Sequence, residues 1–261
     1  MNLLKKLLQR SKQSEFFINF KTLASGTLIS QIIMLAASPL ITRIYSPEEF
    51  GIFALFAAIV SILVPISSLK YNTAIVVAKT DKESQALFFL SILILLFFSF
   101  FILFFSFVGK NFFINFLDIE LLNFWWHLIF FVILLQSLNL IISNYLNRHK
   151  NYKLISRISI IRSVIYVLIV ITLGYFGFTR NGLFFGEIIS ALIILIVATF
   201  NLKKLFKIFK IKEKLNLFNL IAKYKDFLIH SFIALNLPTI HHQNLYRDSQ
   251  SKKHRYLTHK V

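Results

Sequence analysis

Two ionisable residues lie inside long apolar runs, where a charge is expensive and therefore suggests a function. Glu187 is the only acid in such a run, Leu183–Ser190, and Gly182 and Gly186 beside it are spaced for close helix packing. Arg162 lies in another run. In a cavity, Glu187 would bind a cation or hold an arginine; near the membrane surface it would simply be hydrated. For Arg162 the alternative is a positive anchor at the membrane surface.

Two further cations stand at the ends of apolar runs. Arg43 closes the first run after Pro39, and Lys70 closes the second run beside Tyr71. As interfacial cations whose side chains reach the headgroups, they need no further role. Facing a cavity, Arg43 would instead bind a phosphate. The sequence leaves both alternatives open.

Motifs of known catalytic chemistry are missing from the sequence. It has no His-Glu-x-x-His, no Gly-x-Ser-x-Gly and no glycine-rich phosphate loop, and it holds only 7 glycines. The absence of cysteine excludes disulfides, thiolate metal sites and cysteine nucleophiles. We therefore expect no enzyme activity, no cofactor and no metal site.

The composition predicts an integral membrane protein. Hydrophobic residues form 57% of the 261 positions, 31 of them are Phe, and the mean hydropathy is +0.71. Soluble domains contain roughly 45–50% apolar residues, and a domain of this length has too small an interior to bury the excess. Lipid must therefore be the solvent for much of the chain.

Six apolar stretches are long enough to cross a membrane as helices, which takes ~20 residues each. A closed barrel would instead show alternating polarity, which the phenylalanine-rich run 97–101 does not. The predicted fold is therefore an all-α bundle of six transmembrane helices. The predicted spans are Leu23–Ile41, Gly51–Leu69, Ala86–Val108, Leu121–Asn144, Ile158–Phe178 and Leu183–Leu202.

The basic residues predict the orientation. The N-terminal segment, the second and fourth loops and the segment after the sixth span hold 21 Lys and Arg, against 3 in the remaining loops. By the positive-inside rule, the N-terminus and the segment after the sixth span are cytoplasmic. Because the basic clusters flank apolar runs, we expect them to contact membrane lipids and not nucleic acid.

Two segments flank the predicted bundle of residues 21–202. Residues 1–20 form an interfacial amphipathic segment, with four leucines on one helical face; a signal peptide is the rival interpretation. Residues 203–227 form a basic amphipathic cytoplasmic segment.

Within the bundle, Trp125 and Trp126 are expected to belong to an aromatic belt at the membrane surface.

Several segments resemble one family. The run Ser38-Pro-Leu-Ile-Thr-Arg-Ile-Tyr-Ser-Pro-Glu-Glu-Phe-Gly-Ile-Phe-Ala-Leu-Phe56 resembles the junction of the first two helices of bacterial oligosaccharide flippases. These are the O-antigen (Wzx-type) translocases of the multidrug/oligosaccharidyl-lipid/polysaccharide exporter superfamily. The run 68–77 is similar to the family's Arg-Tyr-Glu-x-Ala-Ile-Val segment, with Lys70 for the arginine and Asn72 for the acid. The runs 146–157 and 224–227 resemble later segments in the expected order.

The resemblance implies one half of a two-bundle transporter in the bacterial inner membrane. Such a transporter moves undecaprenyl-diphosphate-linked oligosaccharide between leaflets by alternating access, with cations around a central cavity that hold the diphosphate. Arg43 and Lys70 match the family's segments and are the first candidates for this cavity. Arg162, Arg180 and Glu187 are further candidates.

Two other functions stay open. One is an integral membrane enzyme of polysaccharide assembly, which would need a large periplasmic loop or an intramembrane His/Asp pair. The other is a non-functional transporter fragment, because residues 228–261 hold one Phe but five of the 7 His. The family continues here into a seventh helix, so the resemblance predicts a truncated or frame-shifted copy. Such a copy would have to pair with a second half to complete its cavity.

Overall fold

The computed structural model describes residues 2–109, 123–206, 220, 221, 223 and 224, with side chains from residue 17 onward except at 123, 124, 180 and 202–206. The chain divides into two units, Met1–Leu215 and Asn216–Val261. The few described residues of the second unit are helical. The predicted tail 228–261 lies outside the described residues. So does the predicted segment 203–227, except for these few residues and the helix end at Phe206.

Every regular element of the described residues is a helix. The first unit contains eight in the part that the structure describes, and six of them are long and apolar enough to cross a membrane. The chain is therefore an all-α, multi-pass membrane protein, and this prediction is confirmed. The helices are α1 (Asn2–Ile44), α2 (Pro47–Ile66), α3 (Tyr71–Val77), α4 (Asp81–Val108), α5 (Asn123–Trp126), α6 (Ile129–Arg148), α7 (Tyr152–Tyr175) and α8 (Thr179–Phe206).

Local sequence explains where several helices begin. At the start of α2, Ser46 and Glu49 form a reciprocal capping box, with the Ser46 N–H donating to Glu49 Oε2 (2.8 Å) and the Glu49 N–H donating to Ser46 Oγ (3.2 Å). Thr80 Oγ1 accepts the Glu83 N–H at the start of α4. Asn151 caps α7 by accepting the Leu154 N–H. Each cap satisfies backbone donors that a helix leaves free at its first turn.

The second predicted span ends too late. α2 stops at Ile66, and the chain turns through Leu69 (φ 46°) and Lys70 (φ 64°) before α3 begins. Positive φ is uncommon for residues other than glycine, and tertiary contacts must hold it. The prediction ended this span just before the first charge, Lys70, because two serines, Ser67 and Ser68, do not by themselves mark a helix end.

The starts of the fourth and fifth predicted spans also differ from the observed helices. The fourth predicted span began at Leu121, whereas the long helix begins at Ile129 after the short α5. The fifth began at Ile158, whereas α7 already begins at Tyr152. The second shift has a functional consequence, because it moves Arg162 away from the helix end. The N-terminal helix runs unbroken from Asn2, and the interfacial role of residues 1–20 stays a prediction.

The helices pack in a defined order. α7 lies against α1 and α8, while α6 contacts α2, α3, α4 and α8. Gly26 of α1 faces Ser156 of α7 so closely that a Cβ would overlap it, and Gly186 of α8 meets Val170 of α7 in the same way. These close approaches confirm the packing role predicted for Gly186 and fix the register of α7 against both neighbours.

The aromatic-belt prediction for Trp125 and Trp126 is wrong, because both side chains are buried in the bundle. The Trp125 ring stacks on Phe184 of α8 with centroids 4.3 Å apart, and its indole N–H donates to Asn181 Oδ1 (3.1 Å). The Trp126 indole N–H donates to the Ser106 carbonyl of α4 (3.1 Å). With protein partners for both N–H groups, neither ring needs the lipid headgroups.

Candidate functional site

Arg162 lies near the middle of the 24-residue helix α7. At 1.5 Å per residue it is ~15 Å from Tyr152, about half of the ~30 Å of a bilayer's hydrocarbon core. Glu187 of α8 lies ~12 Å from the first residue of its helix. Both charges therefore lie at least two turns inside their helices, away from the helix ends.

Arg162 and Glu187 form an ion pair, with Arg162 Nη2 donating to Glu187 Oε1. The amide of Gln136 on α6 donates to the same carboxylate oxygen at 2.8 Å. We call these three side chains the central polar cluster. Of the interpretations of Glu187, the structure shows the one in which the acid holds an arginine. A carboxylate paired in this way is the usual form in which a protein keeps a charge at membrane depth.

Neighbouring contacts hold the three helices of this cluster in register. Gly186, next to Glu187, lets α8 approach α7 closely. Asn139 Nδ2 of α6 donates to the Ala191 carbonyl of α8 at 3.1 Å. On the other side of α7, the hydroxyls of Ser159 and Ser30 of α1 are 2.8 Å apart. Hydrogen bonds between helices thus surround the ion pair on both sides of α7.

Two cavities meet at the central polar cluster. The first has a volume of about 360 Å³ and lies toward the end of the bundle that carries Arg148, Lys150 and Lys153, which we call the basic end. The second has a volume of about 410 Å³ and lies toward the opposite end. Among the described residues, Arg162 and Gln136 are the only ones that line both. The arginine therefore stands in the wall between the two cavities.

The linings of the two cavities differ. The first cavity has many hydroxyl and amide side chains, which are Thr27, Gln136, Asn139, Ser143, Ser156 and Ser159. The second has three aromatic side chains, Phe53, Phe56 and Tyr166, and it also includes Ser61, Ser163 and Glu187. Each cavity thus combines apolar surface with polar groups beside a cation, and such sites can accommodate an amphiphilic molecule with an anionic group.

The other predicted cations are not brought together with this cluster. Arg43 is exposed at the end of α1, and Lys70 is half-buried in the turn after α2. Since the 20 residues of α2 separate them, they lie ~30 Å apart, at opposite ends of the bundle. Neither is among the residues that line the two cavities. Burial lowers the pKa of Lys70 from its ordinary value. The side chain of Arg180 lies outside the described residues, and substrate contact by these three cations stays a prediction.

A second polar cluster lies at the basic end. Arg148 at the end of α6 and Asp81 at the start of α4 form an ion pair of 3.5 Å. Next to Arg148, burial lowers the pKa of His149, with Asp81 opposing this shift and Arg148 reinforcing it. Asn72 of α3 is 2% exposed, and within the described part of the chain its Oδ1 accepts no hydrogen bond.

Sequence reasoning missed Gln136. The available signal was that Gln136 interrupts the apolar run that begins at residue 129. A polar side chain at membrane depth requires a partner. Ionisable residues alone were taken as candidates, which left the amide out. The pairing of Arg162 with Glu187 was not predictable either, because they are 25 positions apart on different helices.

These observations define a multi-pass helical membrane protein with a charged wall between two cavities. The family model for polysaccharide biosynthesis proteins matches residues 40–240, a range that includes α2 to α8 and the whole central polar cluster. The chain belongs to this family, and the predicted membership is confirmed. Its role accordingly lies in polysaccharide synthesis or export. Neither a curated protein nor a solved structure matches the chain.

Proposed function

We propose that the chain is a flippase that moves a lipid-diphosphate-linked oligosaccharide across the inner membrane. Family membership supplies the polysaccharide context, and six helices of spanning length supply the membrane setting. The observation that carries the proposal is Arg162, a cation near the middle of α7 in the wall between two cavities. A guanidinium donates two parallel hydrogen bonds to phosphate oxygens, and such bonds are strong where water is scarce.

The position of Arg162 also suits alternating access. A binding group that serves both sides of a membrane must be reachable from each side in turn. Arg162 borders the cavity toward the basic end and the cavity toward the opposite end. In our proposal the hydroxyl-rich first cavity takes the sugar, and the second half implied by the resemblance supplies the remaining wall.

Complementation of a strain that lacks its own flippase tests this proposal. The chain is produced in one arm alone and in the other together with the second bundle of a related flippase. Surface polysaccharide and accumulated lipid-linked oligosaccharide are then measured in both arms. Restored surface polysaccharide in either arm supports flippase activity, and no restoration in either arm at normal protein levels contradicts it.

Substitution of the central arginine tests the site within the arm that works. Arg162→Gln should reduce export at unchanged protein level, because the diphosphate loses its charged partner. The matched control is Arg157→Gln, which removes an exposed arginine of the same helix outside both cavities. If export falls equally in both variants, or falls in neither, Arg162 is not the phosphate site.

A further inference from the structure

We propose that Glu187 is an internal counter-anion of Arg162, which the anionic group of the substrate displaces and which takes up a proton when displaced. This inference rests on the proposed function, because it assigns a competitor for the same arginine. The structure pairs the two residues, so the arginine is not a vacant anion site. Any phosphate that binds Arg162 must share it with the carboxylate or replace it.

The geometry makes Arg162 the accessible member of the pair. Its side chain is 37% exposed, whereas that of Glu187 is 16% exposed. Arg162 lines both cavities, whereas Glu187 lines only the second. A guanidinium has five N–H donors, and one of the two at Nη2 contacts Glu187. An anion in the first cavity can therefore reach the guanidinium from the side away from Glu187.

Electrostatics then favours displacement over sharing. A carboxylate and a phosphoryl group on one guanidinium repel each other strongly in surroundings of low dielectric constant. Once the anion holds Arg162, the ionised Glu187 would be a buried charge without a partner, which is strongly unfavourable. A proton from solvent neutralises the carboxylate and removes this penalty.

Gln136 keeps the displaced carboxyl group satisfied. Its amide donates to Glu187 Oε1 at 2.8 Å, and a protonated carboxyl group still accepts that bond through its carbonyl oxygen. The Ser190 hydroxyl donates to the main-chain carbonyl of Glu187 (3.1 Å) and leaves the carboxyl group free for this exchange. Glu187 thus has a hydrogen-bond partner in both charge states.

Few other ionisable groups face Glu187 in the described part of the chain. Around the second cavity, α7 contributes Arg162 and the phenol of Tyr166, and α6 contributes the neutral Gln136. The side chains from α1 and α2 on this cavity carry no charge; they are Met34, Phe53, Phe56, Ala57, Val60 and Ser61. A proton taken up on anion binding is therefore assigned to Glu187.

Sulfate binding to the full chain in detergent, measured by calorimetry, tests the inference. Sulfate stands in for one phosphoryl group and keeps its charge between about pH 6 and about pH 8. Wild-type affinity should rise as the pH falls, by up to about tenfold per unit if one proton accompanies each anion. Glu187→Gln should bind sulfate about tenfold to hundredfold more tightly at the higher pH, with no pH dependence, because the competitor has lost its charge.

Control variants separate the possible failures. Glu48→Gln removes an exposed carboxylate from the start of α2 and should leave sulfate binding unchanged. Arg162→Gln should lose binding; if that variant does not fold, the double variant Arg162→Leu/Glu187→Leu carries no unpaired charge and should fold without binding sulfate.

Each result has one consequence. If variants without Arg162 bind sulfate like the wild type, Arg162 is not the anion site and the proposed function loses its support. If they lose binding but Glu187→Gln binds no more tightly than the wild type, only the counter-anion inference is overturned. Tighter binding by Glu187→Gln with a wild-type affinity that does not vary with pH overturns the proton uptake.

Discussion

The described residues contain two arginine–carboxylate pairs in different surroundings. Arg162 and Glu187 lie well inside α7 and α8, whereas Arg148 and Asp81 lie where α6 ends and α4 begins, with Asp81 57% exposed. An exposed pair contributes about 0–1 kcal/mol because water and salt compete with it. The carboxylate of the inner pair is only 16% exposed, so it depends more strongly on its arginine. The same two residue types therefore join two helix ends in one place and, in our proposal, supply a binding site in the other.

The outer pair lies at the basic end, which is predicted to face the cytoplasm. Accessibility to a membrane-impermeant thiol reagent tests this orientation with an all-or-none result. The chain has no native cysteine. Glu48→Cys and Phe178→Cys lie at the end opposite to the basic end and should label from outside intact cells. Lys79→Cys and Lys153→Cys lie at the basic end and should label only after the membrane is opened. External labelling of position 153 would reverse the orientation.

Breaking the inner pair should have the largest effect on stability. Arg162→Leu leaves Glu187 buried without its partner and should lower the free energy of unfolding by ~3 kcal/mol, the lower end of the usual range because Arg162 is 37% exposed. The double variant with Glu187→Leu should recover most of this loss. Denaturant unfolding in detergent measures both, and additive losses in the double variant would contradict a coupled pair.

Removal of the amide from the central polar cluster should have a smaller effect. Gln136→Leu deletes one hydrogen bond to a carboxylate and should lower the free energy of unfolding by ~1.5 kcal/mol. Ser61→Ala is the control, since that exposed hydroxyl bonds only to its own helix, at the Ala58 carbonyl. Similar losses for both variants would show that Gln136 does not support the ion pair.

The outer pair should tolerate substitution. Asp81→Asn removes its charge and should change the free energy of unfolding by less than ~1 kcal/mol, because the carboxylate is mostly hydrated. The same unfolding measurement at low and high salt checks this prediction. A loss as large as that of Arg162→Leu would mean that depth does not distinguish the two pairs.

The smallest effect concerns the pH dependence at the basic end. The pKa of His149 is lowered in the folded chain, so the unfolded state binds the proton more readily. Its contribution to stability is therefore complete above the unfolded pKa of about 6.5 and declines as the pH falls through that value toward the folded pKa. His149→Gln should flatten the profile of melting temperature against pH in this acidic window. An unchanged slope would assign the dependence to another group.

How far the sequence predicts this molecule differs between its helices and its site. The six spans were readable because each crosses the membrane with its backbone hydrogen bonds satisfied internally, so that length and apolarity alone define them. The charged residues worth testing were also readable, since Arg162 and Glu187 interrupt apolar runs. Helix ends were predicted less well, because α2 already ends at Ile66, before the first charge at Lys70, and local composition does not mark that end.

The sequence by itself determined the membrane class, the number of spans and the rarity of a charge inside them, all of which follow from local composition. Only the tertiary structure decided that Arg162 holds Glu187, that Gln136 shares the carboxylate and that Trp125 turns inward to stack on Phe184. These outcomes depend on which helices are neighbours and in what register, and small residues such as Gly186 set that register by allowing close approach. Packing between helices is a property of pairs of distant segments, and no single apolar run contains that information.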